Sequence, residues 1–192
     1  MSSGRTAAKE AKLRAILDAA TELLVEKPTA SLNDIAEYAG IGIATLHRYI
    51  ESREQLMLQL GLRAVEVVEE TLRRIRPVGE IGDDYIRELI EALIPLGDKI
   101  NFLANETSLH YSEEMGAAEA RVKEPIREAI RSLQSGGAFR EDMSADWILE
   151  VLYSLLFVTW QQVHEGRIAS KSAAKQFIDT LYHGVAADAD RG

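Results

Sequence analysis

Acidic and histidine side chains are the residues of this chain whose types could bind a metal or catalyse a reaction. Glu106 and His110 are four residues apart, so on a helix they would share one face and could both bind one ion. No fuller ligand set accompanies them, and adjacent acids such as Glu69 and Glu70 point to different parts of a helix surface. The spacing favours a pocket-lining or surface role, and we expect no metal site and no catalytic residue.

Covalent and cofactor chemistry also lacks its usual residues. The chain has no Cys, which excludes a disulfide scaffold, a thiolate metal site and a cysteine nucleophile. No nucleophile elbow of the Gly-x-Ser-x-Gly type, phosphate-binding loop or dinucleotide fingerprint occurs in the 192 residues. We therefore expect neither an enzyme nor a cofactor.

Helical periodicity runs through the sequence, and patterns typical of strands are nearly absent. Within residues 31–50, Ser31 is a candidate N-cap for a short helix over 32–39, and a second short helix is predicted over 43–50. Gly40 suits the left-handed conformation that the sharp turn between them needs. Such a helix-turn-helix unit places its second helix in the major groove of DNA.

Three stretches between Ala8 and Leu56 carry a specific pattern. They read Ile16-Leu-Asp-Ala-Ala-Thr-Glu-Leu-Leu24, Asp34-Ile-Ala-Glu-Tyr-Ala-Gly-Ile41 and Ala44-Thr-Leu-His-Arg-Tyr-Ile-Glu-Ser-Arg-Glu-Gln-Leu56. This quarter of the chain resembles the DNA-binding domain of the tetracycline-repressor (TetR) family, whose divergent ligand and dimer domain the remainder matches only in length and helical character. The helical periodicity along the chain predicts an all-α fold of about nine helices. Residues 1–54 would form the helix-turn-helix domain, and residues 55–192 a helical effector-binding and dimerisation domain.

The resemblance also implies which side chains contact DNA. The candidates are Ser31, Ile43, Thr45, His47, Arg48, Tyr49 and Arg53. The chain departs from the family pattern at His47, where an aromatic is common, and at Ile43, where a basic or polar residue is frequent. Base readout is therefore expected from Arg48, from a thymine-methyl contact of Ile43, or from the N-terminal arm.

Charge and hydropathy leave a DNA-binding face open. The net charge is −9, but residues 1–60 carry seven Lys and Arg against eight Asp and Glu, whereas residues 61–192 carry fifteen against twenty-three. Near the N-terminus, Arg5, Lys9, Lys12 and Arg14 could contact phosphates or form a solvated helix face. The N-terminus lacks a signal-peptide core, and no apolar run is long enough to cross a bilayer, so we expect a cytoplasmic protein with no membrane partner.

One predicted helix, over 145–164, is apolar all round. Between residues 147 and 160, apolar side chains occupy eleven of fourteen positions, which is typical of a helix buried on all sides. We expect it to pack inward on one face and, with the last helix, against a second copy of the chain; the alternative is a central helix of a monomer. The candidate interface residues are Tyr153, Phe157, Trp160, Gln161, His164, Phe177 and Leu181.

An effector pocket is expected among the helices between residues 56 and 134, capped by the helix over 145–164. The candidate lining residues are Leu62, Val65, Leu89, Leu93, Phe102, Glu106, His110, Tyr111, Ile126 and Trp147. Plain core packing is the alternative for each of them. The ligand would be mainly apolar, with one or two polar groups bound by Glu106, His110 or Tyr111.

These patterns together predict a homodimeric, ligand-responsive transcriptional regulator. In this hypothesis the ligand-free protein represses by binding a palindromic double-stranded DNA operator, and a small-molecule effector releases it. The alternative is a helical small-molecule-binding or interaction protein that has lost DNA readout.

Overall fold

The computed structural model describes residues 2–75 and 84–185, without the side chains of residues 2–5, 98, 104, 105, 110 and 185. The linker that the sequence predicts over 77–82 lies outside the described residues. Within the two described ranges, no helix is both long and apolar enough to cross a membrane.

The described residues form nine α-helices and three 3₁₀ segments, with no β-strand, which confirms the predicted all-α class. The helices are α1 Ser2–Glu26, α2 Leu32–Tyr38, α3 Ile43–Leu46, α4 Arg53–Ile75, α5 Asp84–Leu93, α6 Gly97–Ile100, α7 Glu113–Ser135, α8 Ala145–His164 and α9 Ser170–Val185. The stretch where Pro95 and Gly97 predict an interruption contains the 3₁₀ segments Ile94–Leu96, Asn101–Asn105 and Thr107–Tyr111.

Serine hydroxyls determine where two of the long helices begin. Ser112 Oγ accepts from the backbone N–H of Met115 at 3.2 Å before α7, and Ser144 Oγ accepts from the N–H of Trp147 at 3.1 Å before α8. Each bond satisfies a donor that has no partner inside the helix. Helix α7 continues through Pro125, where the sequence predicts a bend.

Helix α3 is shorter than the helix predicted over 43–50. It ends at Leu46, and the next residues continue in tighter turns, with Arg48 N donating to Thr45 O at 3.3 Å and Tyr49 N donating to Leu46 O at 2.9 Å. Bonds of this i→i+3 kind commonly tighten the last turn of a helix. The helical turns therefore reach Ile50 as predicted, with Ile50 N donating to Leu46 O at 3.0 Å, but the regular α-helix ends at Leu46.

The chain divides into two compact units, of which the first comprises Met1–Ala64 and Phe102–Gly116. It thus takes in the first half of α4 and residues beyond the predicted 1–54 domain. Its fully buried side chains come from each of the first four helices and the turns between them. They include Ile16, Ala20, Leu24, Ile35, Leu46, Ile50 and Leu56.

The second unit comprises Val65–Asn101 and Ala117–Gly192. Its core is built from α5, most of α7, and α8 and α9, which bury aliphatic side chains at helical spacing together with one phenylalanine of α9. Members with almost no exposure are Ile86, Leu89, Ile90, Ile126, Ile130, Ile148, Leu152 and Phe177.

Candidate functional site

A reciprocal capping box fixes the start of α2. The backbone N–H and the hydroxyl of Ser31 donate to Asp34 Oδ2 at 2.7 and 2.6 Å, and Asp34 N donates back to Ser31 Oγ at 3.2 Å. The bond from the Ser31 hydroxyl, helped by its backbone N–H and by Lys27, lowers the pKa of Asp34 to about 2. The sequence predicts Ser31 as a phosphate contact; in the structure its hydroxyl proton is occupied by Asp34.

The turn between α2 and α3 depends on Gly40. Its φ of 64° lies in the left-handed region, where a side chain is strained. This conformation lets Ile41 N donate to Ala36 O at 2.9 Å and leads into Gly42, the N-cap of α3. The turn predicted at this position is therefore present.

Helix α3 and the turns after it have one buried face and one exposed face. Leu46 and Ile50 are completely buried, and Thr45 and Tyr49 are half-buried. The opposite face presents to solvent the side chains of Ile43, Ala44, His47 and Arg48. This division leaves the apolar side chains of Ile43 and Ala44 and the guanidinium of Arg48 exposed to a ligand. His47 is exposed as well, but its Nδ1 lies 3.3 Å from Ile50 O.

Arg53 does not present its guanidinium to solvent in the way the resemblance implies. Its Nη1 donates to Ala30 O at 2.5 Å and its Nη2 donates to Pro28 O at 2.8 Å, so the side chain joins the start of α4 to the loop between α1 and α2. Carbonyls of this loop have no helical partner, and the guanidinium supplies one. Sequence reasoning missed this role because the contact spans more than twenty residues.

Exposed cations of the first unit differ in whether an acid neutralises them. Lys27 pairs with Asp34 at 3.2 Å, and Arg63 pairs with Asp18 at 2.5 Å. Arg53 has no ion pair but donates to two backbone carbonyls. Among the side chains that the structure describes, the cations of this unit with neither an ion pair nor a hydrogen bond are Lys9, Lys12, Arg14 and Arg48. The side chain of Arg5 lies outside the description. The free cations are the groups with charge available for phosphates.

The predicted effector residues are distributed over both units. The first unit holds Leu62, Phe102, Glu106, His110 and Tyr111, and the second holds Val65, Leu89, Leu93, Ile126 and Trp147. The second set is buried in its core except Trp147, which is 59% exposed. Tyr111 is 89% exposed in its own unit and therefore lines no enclosed space there.

Glu106 already has hydrogen-bond partners. Its Oε1 accepts from Ser108 Oγ at 2.7 Å and from Ser108 N at 3.4 Å, which caps the 3₁₀ segment Thr107–Tyr111. The side chain of His110 lies outside the description, so the pair considered for metal binding is not placed. Among the described side chains, no three acids and histidines are grouped closely enough to hold a metal ion.

The predicted dimer residues separate into an inward and an outward set. Trp160, Phe177 and Leu181 are buried at 5% exposure or less, so they serve the core of the second unit instead of the predicted interface. Phe157, Gln161 and His164 are exposed, and Tyr153 is half-buried with Lys123 Nζ 5.0 Å above its ring. Burial and the nearby carboxylates of Glu119 and Glu150 raise the pKa of Tyr153.

Two exposed apolar residues of α8 are not among the predicted interface residues. Val158 is 53% exposed, and Trp147 was assigned to the pocket although it lies on the same side of the helix. Trp147, Val151, Ser154 and Val158 follow i, i+4, i+7, i+11 spacing, which places them along one stripe. That spacing is the signal in the sequence that would have found this face.

Comparison with known proteins agrees with this arrangement. Residues 16–60 match the family model described as "Bacterial regulatory proteins, tetR family". The chain is 30% identical over 159 residues to the HTH-type transcriptional repressor LfrR of Mycolicibacterium smegmatis, covering 83% of this chain and 82% of LfrR.

Solved structures extend the match to both units. The structure of LfrR in complex with proflavine superposes with a TM-score of 0.77 at 29% identity and covers 92% of this chain and 97% of LfrR. AibR in complex with isovaleryl coenzyme A and operator DNA has the same fold, with a TM-score of 0.74 at 18% identity over 89% of this chain and 98% of AibR. The exposed outer face of α3 and these matches together identify the chain as a member of the TetR family, whose members are DNA-binding transcriptional regulators and not enzymes.

Proposed function

We propose that the chain is a homodimeric repressor that binds a palindromic operator and is released by a small, mainly apolar effector. The proposal rests on the outer face of α3 and the turns after it. Ile43, His47 and Arg48 are exposed on this face, while Leu46 and Ile50 on the inner face are completely buried. A helix whose inner face is buried in the first unit can enter a major groove with its outer face while the core of that unit stays packed. The four free cations of the first unit provide phosphate contacts.

The exposed stripe of α8 supports the dimer. Trp147 and Val158 in this stripe, and Phe157 next to Val158 in sequence, are apolar and at least 41% exposed, so they offer apolar surface that a second copy can cover. A two-fold interface uses the same patch on both copies. The α3 segments of the two copies then bind two identical half-sites about one helical turn apart, and two identical half-sites related by a two-fold axis form a palindrome.

The effector is proposed from the relatives and from the second unit. LfrR has been solved with proflavine and AibR with isovaleryl coenzyme A and operator DNA. In this chain we assign DNA reading to residues 1–54 and effector binding and dimerisation to residues 55–192. Helix α4 contributes residues to both compact units. An effector that binds the two conformations of the dimer with different affinity shifts the population away from the DNA-bound state.

Binding to DNA also implies a cytoplasmic location.

The dimer is tested by placing a charge in the α8 stripe. We expect Val158→Glu to convert a dimer into a monomer in sedimentation velocity, and to weaken binding to duplexes enriched from a randomised pool by at least about ten-fold, since one rod binds where two did. The matched control is Val67→Glu, which adds the same charge at another exposed valine, on α4. A wild-type chain that sediments as a monomer, or that enriches no sequence, would contradict the proposal.

A further inference from the structure

Ile43 is a partly exposed isoleucine on the outer face of α3. Its side chain is 37% exposed, whereas Leu46 and Ile50 on the inner face are completely buried. Gly42 before it has no side chain, and a Cβ built there would meet nothing within 4 Å. Isoleucine is also a weaker helix former than alanine, so helix propensity does not favour it at this position.

The position and chemistry of Ile43 limit which feature of a base edge its side chain can recognise. It lies on the outer face of α3 beside Ala44, and His47 and Arg48 follow on the same face. Bases in the major groove present hydrogen-bond donors and acceptors, and their apolar group is the C5-methyl of thymine. An isoleucine can neither donate nor accept a hydrogen bond, so the thymine methyl is the feature of a base edge that it can recognise.

We propose that Ile43 is a specificity-determining residue that packs on one thymine methyl in each operator half-site. This inference rests on the proposed function, because it requires the outer face of α3 to lie in a major groove. Burying one methyl is worth about four-fold in affinity, so the two half-sites of a palindrome together give about fifteen-fold.

The test removes the methyl from the DNA and the side chain from the protein separately. Duplexes enriched from a randomised pool by the full wild-type chain are resynthesised with deoxyuridine in place of each thymine in turn. We expect one thymine per half-site at which this change weakens wild-type binding by about four-fold, or about fifteen-fold in both half-sites. Ile43→Ala should bind the thymine duplex as weakly as the wild type binds the deoxyuridine duplex, with no further loss on the deoxyuridine duplex.

Two variants control for nonspecific effects. Ile43→Val keeps the β-branched shape and should retain most of the discrimination, and Val67→Ala, which shortens an exposed side chain on α4, should behave as the wild type. Unchanged thermal unfolding of Ile43→Ala confirms that its fold is intact. The inference is overturned if every replacement of thymine by deoxyuridine weakens the binding of Ile43→Ala as much as it weakens the binding of the wild type. It is also overturned if no such replacement weakens wild-type binding. A wild-type chain that enriches no sequence overturns the proposed function as well.

Discussion

The indole ring of Trp160 lies directly against Gly97. The ring Nε1 donates to Leu93 O at 3.2 Å, and a Cβ built on Gly97 would fall 2.7 Å from Nε1 and closer still to Cγ and Cδ1. Gly97 has a φ of −54°, which any residue can adopt, so its conformation does not require glycine. The close approach of the ring requires it, and this contact packs the start of α6 on α8.

Replacing Gly97 with alanine should therefore destabilise the protein. Overpacking of a well-packed site costs about 1–3 kcal/mol, which lowers the melting temperature by about 2–4 °C for each kcal/mol. Thermal and urea unfolding measure the change. The control is Gly116→Ala in α7, where a built Cβ meets nothing within 4 Å and alanine should stabilise the helix by up to about 1 kcal/mol. A Gly97→Ala variant as stable as the wild type would show that the ring has room to move.

The capping box predicts a pH-dependent contribution to stability. Its bonds hold the pKa of Asp34 at about 2, below its ordinary value of 3.8. A carboxyl with a lowered folded-state pKa stabilises the fold above its unfolded pKa, and this contribution is lost as the pH falls from about 4 to about 2. Ser31→Ala should thus destabilise the protein by about 1 kcal/mol near neutral pH and by less at low pH.

Urea midpoints measured across this pH range, with an NMR titration of Asp34, test the prediction. Ser144→Ala, which removes a different helix-capping hydroxyl that accepts from Trp147 N, is the comparison. If the Asp34 pKa stays at about 2 in Ser31→Ala, the serine hydroxyl is not its main cause.

Arg48 and Arg53 should separate DNA binding from folding. Arg53→Gln removes the bonds to Ala30 O and Pro28 O, and we expect a loss of about 1–3 kcal/mol in unfolding free energy. Arg48→Gln removes an exposed cation without an ion pair among the described side chains, so unfolding should change by less than about 0.5 kcal/mol.

DNA titrations at several salt concentrations complete this comparison. Arg48→Gln should weaken binding to the enriched duplex and reduce the slope of log K against log salt by about one if the guanidinium contacts a phosphate, and should relax the preference for one base if it contacts guanine. An Arg48→Gln variant with unchanged affinity and unchanged base preference is the result that this account does not allow.

Local signals predicted the elements well, and contacts distant in sequence were missed. The cap at Ser31 and the turn at Gly40 depend on bonds within a few residues, so the sequence reveals them. The role of Arg53 depends on carbonyls brought close by folding, and the inward direction of Trp160 depends on space left by Gly97. Composition alone showed that α8 is apolar all round, but only its packing distinguishes the inward face from the stripe left in solvent.

In the proposed complex, two copies of the outer face of α3 lie in the major groove of one duplex. Dimethyl sulfate footprinting of the enriched duplex tests it directly, because the reagent methylates guanine N7 in the major groove and adenine N3 in the minor groove. We expect the wild-type chain to protect N7 in two symmetric sets about 10–10.5 base pairs apart, and Arg48→Gln to weaken the protection of both sets equally. Protection confined to adenine N3, or N7 protection without two-fold symmetry, would contradict it.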